Sequence, residues 1–129
     1  LAASSAARIT AMIPAFARAQ NPVDVTMDFA AAPEMVGDTL QVLLEESTVD
    51  IGLVVLTTNA DPLASAVARR VIEVAAGTRK PVLVTRLGPE RLAPAALALY
   101  RAARIPVYPM PERTVRVARA MVDYTRTGG

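Results

Sequence analysis

The sequence predicts an α/β domain: a parallel sheet with helices on both faces, three layers in all. Short β-branched runs alternate with helix-patterned stretches of about ten to fifteen residues, the grammar of βαβ units. The longest such run, Ile51 to Leu56, is continuously apolar instead of alternating, as in a strand buried on both faces. Length agrees, because 129 residues that are 53% hydrophobic supply one compact core and not comfortably two.

Residues 1–20 are Ala-rich and read as a helical segment or connector, with 21–129 as a single domain. Pro14 and two arginines interrupt this stretch, so it lacks the basic start and unbroken apolar core of a signal peptide. Asn21-Pro22 biases the chain away from the helical region, and Val23 to Thr26 reads as a first short strand. From Glu34, the residues Val36, Leu40, Leu43 and Leu44 paint one face of a helix ending at Glu45-Glu46. Ile51 to Leu56 is the next strand, central in the sheet. Thr57 to Pro62 reads as the loop after it, with Asp61 as N-cap and Pro62 as the first helical residue. Leu63, Val67, Val71 and Val74 form the following apolar stripe, and Gly77 stands where a left-handed C-cap is expected.

Val82 to Thr85 is a third strand, and Arg86 to Pro89 the loop beyond it. Its helix starts near Pro94, since a proline deeper inside costs about 3 kcal/mol, and runs to Arg104. Ile105 to Tyr108 is a last strand. Pro111-Glu112 opens a terminal helix with Val115, Ala118 and Val122 inward. A five-stranded doubly wound sheet would begin with a strand and a glycine-bearing turn, and the first twenty residues offer neither. Either the sheet is unusually small, or its first strand lies upstream of Leu1.

Composition removes much chemistry. With no His and no Cys, the chain holds no Ser-His dyad, cysteine nucleophile, zinc site, Fe-S cluster, disulfide or phosphohistidine of its own. The formal charge is +2, and Lys80 is the single lysine among scattered arginines. A nucleic-acid interface, which needs a basic stripe with aromatics between, is not expected. Arg113, Arg116 and Arg119 read as the solvated face of the last helix. No run reaches the roughly 20 apolar residues of a membrane span, and the lack of cysteine is compatible with a cytoplasmic location.

The candidate site residues lie along the carboxyl edge of the expected sheet, where open parallel sheets bind ligands. Thr57, Thr58 and Asn59 feed a helix N-terminus, whose amides and dipole favour a phosphate or carboxylate; the alternative is that they cap and turn. Asp24 and Asp28, near the end of the first strand, offer carboxylates for a cation or proton, or form a turn; Asn21, at the strand's other end, is a further candidate. Arg86 and Gly88 place a cation beside a close backbone approach, or simply pack. No Walker A or G-x-G-x-x-G pattern occurs, so a self-contained nucleotide site is not indicated.

Taken together, several of these segments resemble one family. Ile13-Pro14-Ala15-Phe16-Ala17 before Asn21-Pro22-Val23-Asp24-Val25-Thr26 is similar to the LP-x-x-A…NPVD-(L/V)-T segment of the NDP-forming acyl-CoA synthetases, relatives of succinyl-CoA synthetase. The likeness continues in Val49 to Thr57, in Lys80-Pro81-Val82-Leu83-Val84, and in Ile105-Pro106-Val107-Tyr108 with Pro111-Glu112-Arg113. These markers run in order from about residue 10 to 122.

The resemblance implies a flavodoxin-like, Rossmann-like fold, the second ligase domain of a large enzyme, lacking its first strand and helix. It implies the interconversion of acid, CoA and ATP with acyl-CoA, ADP and phosphate. It implies companion domains as partners: a CoA-binding domain, a ligase domain bearing the phosphorylated histidine, and an ATP-grasp module. ATP or ADP, Mg2+ and CoA then belong to the whole enzyme, with no cofactor held by this chain alone and no activity in it alone; whether it forms homo-oligomers is open. The domain's expected role is to help hold the phosphohistidine at a helix N-terminus, and by position the Thr57-Thr58-Asn59 loop matches. Where the family's relatives carry a glycine pair, this loop has no glycine. The family's domain also opens with a strand and a TN-x-GG-x-G turn before the segment matching Leu1, so the chain reads as a piece of something longer. Two alternatives stand beside this reading: a non-catalytic synthetase-like module serving regulation or assembly, for instance of a fused acyltransferase, and an unrelated flavodoxin-like or receiver-like domain.

Overall fold

In a computed structural model that describes residues 1–128, the chain forms a parallel three-stranded sheet between two helical layers. The elements are α1 (Ala3–Thr10), a 3-10 turn (Thr26–Ala30), α2 (Glu34–Glu45), β1 (Gly52–Leu56), α3 (Leu63–Ala76), β2 (Val82–Arg86), a second 3-10 turn (Glu90–Leu92), α4 (Pro94–Ala102), β3 (Val107–Tyr108) and α5 (Pro111–Arg126). The strand order is β1-β2-β3, all parallel. Helices α2, α3 and α4 pack side by side on one face, α5 lies against β2 and β3 on the other, and α1 docks on α2. This is the flavodoxin-like, three-layer arrangement expected from the sequence, with three strands where four were expected.

The core lies between the sheet and the α2-α3-α4 layer. Val36, Leu40 and Leu44 of α2, Val67, Val71 and Val74 of α3, Ala96 and Tyr100 of α4, and Val54, Leu56, Val82 and Val84 of the strands form one buried cluster. Each fully buried aliphatic chain contributes roughly 1.5–3 kcal/mol of transfer free energy. α2 and α3 approach closely at Gly37, where an added Cβ would stand 2.4 Å from Arg70 Cγ. The Arg70 guanidinium in turn reaches Asp38 at 2.7 Å, so the helix pair is tied at its solvent rim as well as through its core.

Several expectations are corrected. Val23 to Thr26 is not a strand: Val25 is helical (φ −79°, ψ −1°) and Thr26 has φ +58°, which folds the chain into the 3-10 turn. An extended run needs a ladder partner, and among the described residues no backbone hydrogen bond joins residues 21–26 to 51–57. Clefts of about 170 and 220 Å³ separate Val23 and Val25 from β1 instead. β1 is therefore an edge strand and not a central one. Its Gly52, Val54 and Leu56 are buried against the helices, while Leu53 and Val55 are 42% and 56% exposed because α5 reaches only β2 and β3. β2, covered on both faces, is buried at every position.

Gly77 has φ −84°, an ordinary helical value and not a left-handed cap. In α5 the inward side is set by buried Thr114 with half-buried Val117, Ala118, Met121 and Val122, whereas Val115 is 56% exposed. Of the three residues expected to face inward, Ala118 and Val122 do so and Val115 does not. α4 begins at Pro94, as its proline dictates, and ends at Ala102; the last strand is confined to Val107–Tyr108.

Candidate functional site

The carboxyl ends of β1 and β2 point to one edge of the sheet, and their loops are built against each other. After Leu56 the chain runs through Thr57 and Thr58, both exposed, then Asn59, which is only 7% exposed. After Arg86 it turns at Gly88, whose φ is +96°. A Cβ at Gly88 would stand 2.7 Å from Thr58 Oγ1, so the two loops touch where only glycine fits. The Leu87 amide donates to Leu56 O at 3.0 Å, which continues the β1-β2 ladder into this contact.

Arg86 is the last residue of β2, not a loop residue as expected, and it is 3% exposed. Its Nη2 donates to the Asn59 carbonyl, and Nη1 reaches Pro89 O at 3.4 Å. One buried guanidinium thus bridges the loop after β1 and the loop after β2. Among the described residues no carboxylate lies within 4.0 Å of it, and its Nε has no partner. Both polar atoms of the Asn59 side chain are also buried without partners. The sequence placed Asn59 facing a ligand with the threonines; the structure turns its side chain inward and leaves Thr57 and Thr58 as the groups this loop presents.

The N-terminus of α3 is less open to an anion than the sequence implied. The helix starts at Leu63, with Pro62 and not Asp61 in the cap position. The Asp61 amide donates to Leu92 O at 2.9 Å, Ala64 N to Ala60 O at 2.9 Å, and Pro62 has no N–H. Asp61 instead caps the neighbouring helix: its Oδ2 accepts from Ala95 N, in the first turn of α4, at 2.8 Å. A carboxylate is favourable at that terminus because the first-turn amides lack intrahelical acceptors. Reading Asp61-Pro62 along the chain suggested a local cap, and only the fold could show that the cap is given to another helix.

Beneath this layer Tyr100 is buried, and its hydroxyl has no partner. Burial raises its pKa well above the ordinary tyrosine value, with the Arg86 charge acting in the opposite sense, so it stays neutral. Thr85 and Thr114 form a second buried polar feature, their hydroxyls 2.6 Å apart between β2 and α5. Neither was signalled by local sequence pattern.

Asn21 and Asp24 lie across the clefts from these loops. Asp24 shares with Thr57 and Val55 the cleft of about 220 Å³; Asn21 lines the neighbouring one with Leu53. Asp24 Oδ1 accepts from Thr26 N at 2.8 Å, and Asp28 N donates to Thr26 Oγ1 at 3.3 Å. That is turn chemistry. Among the described residues no group of three or more acidic, His or Cys side chains could hold a metal ion, and no helix is long and apolar enough to cross a membrane.

With this geometry in view, comparison with solved structures finds a close likeness. The dinucleotide-forming acetyl-coenzyme A synthetase 1 of Candidatus Korarchaeum cryptofilum, in its apo form, superposes with a TM-score of 0.77 over 95% of this chain at 26% sequence identity. This likeness supports the resemblance of the chain to the NDP-forming acyl-CoA synthetases. It spans 27% of the length of the Korarchaeum synthetase chain. No family model and no curated protein sequence matches it. The likeness agrees with the fold expected from the synthetase resemblance drawn from sequence.

Proposed function

We propose that this chain is a domain of an ADP-forming acyl-CoA synthetase, and that its carboxyl edge helps to hold a phosphoryl group carried on a histidine of a companion domain. The observation that carries the reading is the structural match, because it embraces 95% of this chain and 27% of a larger synthetase chain. The absence of His accords with it: the domain receives the phosphorylated group and does not bear it. The groups offered to that phosphoryl are the Thr57 and Thr58 hydroxyls, above the buried charge of Arg86. ATP or ADP, Mg2+ and CoA belong to the companion domains.

The test is transfer from ATP labelled in the γ-phosphate to the full synthetase polypeptide. The expected result is an acid-labile label on a histidine outside residues 1–129. Absence of label in an otherwise folded polypeptide contradicts the reading and favours the second one, a synthetase-like module for regulation or assembly. One observation speaks for that alternative: at the start of α3 the Ala64 amide is engaged by Ala60 O and the Asp61 amide, just before the Pro62 cap, by Leu92 O, which leaves less for an anion than a fully open terminus.

A further inference from the structure

The anion preference of this edge has a source other than the α3 terminus. At the start of α3, Ala64 N is occupied, Pro62 in the cap position has no proton to give, Asp61 N just before it is bonded to Leu92 O, and the Asp61 carboxylate adds a negative charge nearby. Arg86 presents the opposite situation. The residue is 3% exposed, and its guanidinium is bonded to two main-chain oxygens and paired with no carboxylate among the described residues. A buried cation without a counter-charge is costly by itself and is stabilised by an anion brought near it. Its field also acts through protein and not through bulk water, so it is weakly screened.

From these facts we infer that Arg86 is the positioning residue of the phosphoryl-facing edge: it fixes the Thr57-Thr58 loop through the Asn59 carbonyl and adds a positive potential to that of the partly occupied helix terminus. The guanidinium does not touch the ligand. Its planar fork lets one group hold Asn59 O and Pro89 O together, which a lysine ammonium at the end of a flexible stem reproduces poorly. The Thr58-Gly88 contact lies over the same junction, so displacing either loop moves the two hydroxyls. This role rests on the phosphoryl-facing reading above.

Inorganic phosphate, titrated into the 129-residue chain while the amide signals of Thr57 and Thr58 are followed by NMR, tests it. Wild type, Arg86→Lys and Arg86→Met are compared at a temperature where melting curves show all three folded. The expected result is a phosphate Kd weakened roughly threefold by lysine, which keeps the charge and loses the double tether, and roughly tenfold by methionine, which loses both. Amide exchange at Asp61 should rise in both variants, because its bond to Leu92 O depends on the loop's position. Unchanged Kd values in folded variants overturn the inference and leave Arg86 a purely structural residue. A wild-type chain whose Thr57 and Thr58 signals ignore phosphate overturns the phosphoryl-facing reading itself, and the role of Arg86 with it.

Discussion

Gly88 and Asp61 show how single residues fix the geometry of the carboxyl edge. At Gly88 the positive φ and the 2.7 Å approach to Thr58 act together. Replacement by alanine should therefore destabilise the chain by about 1–3 kcal/mol, read as a lowered denaturation midpoint with shifted Thr58 signals. A neutral Gly88→Ala variant would mean that the two loops are not in contact. Asp61→Ala should cost about 1 kcal/mol through loss of the cap on Ala95 N, and its local signature is fraying at the start of α4, not of α3. Sequence made Asp61, Arg86 and Gly88 visible as candidates by residue type and place in a loop. It could not show that Asp61 serves another helix or that Asn59 turns inward, because both follow from how two loops distant in sequence meet.

Among the elements, α5 and α1 carry polar ties beside their apolar packing, which in α1 is Ile9 against Val42 of α2. The Thr85-Thr114 pair links α5 to β2, with both side chains buried. Thr114→Val leaves the Thr85 hydroxyl without its partner and should cost about 1–3 kcal/mol, whereas the double change to valine should recover most of that loss. A double-mutant cycle by denaturant unfolding reads the coupling, and strict additivity would contradict it. α1 is held to the end of α2 by Arg8 on Glu45 and by the Ala2 amide on Glu46. The Arg8 hydrogen bond keeps the Glu45 carboxyl below the ordinary glutamate range, and the Ser5 hydroxyl followed by the Ala2 amide does the same for Glu46. For acids lowered on folding, the contribution is complete above the unfolded value and is lost as pH falls through the lowered one. The α1 signals should thus shift in the acid range below the usual glutamate value while the sheet signals hold; detachment of α1 on raising the pH from neutral would contradict this. The helix patterns of α2, α3 and α4 were legible because apolar spacing and prolines mark them locally. On α5 Ala118 and Val122 were legible as inward, whereas Val115 stood in for Thr114, since a buried threonine paired across layers looks polar in sequence.

For the whole molecule, the open flank of β1 is the principal departure from the expected sheet. Gly52 N donates to Pro81 O and Leu56 O accepts from Leu87 N, so the main-chain groups of Leu53 and Val55 point to the other edge, alongside exposed apolar side chains. Exposed edges of this kind pair with other strands. The chain alone should self-associate in a concentration-dependent way, and Val55→Lys should suppress it in sedimentation velocity; a wild-type chain that stays monomeric at millimolar concentration would contradict the prediction. Continuous apolar character could not tell a doubly covered strand from an edge strand whose second face is bare. The α/β class and the synthetase resemblance were both readable because each rests on order along the chain, and the superposition over 95% of the chain agrees with them.

The central claim, that Thr57 and Thr58 face a phosphoryl group in an ADP-forming synthetase, is tested most directly by acid- and CoA-dependent release of ADP from ATP in the full synthetase polypeptide. Thr57→Glu and Thr58→Glu place a carboxylate where the anion is expected, and each should lower kcat at least roughly tenfold with the chain still folded. Unchanged turnover in both variants would contradict the account.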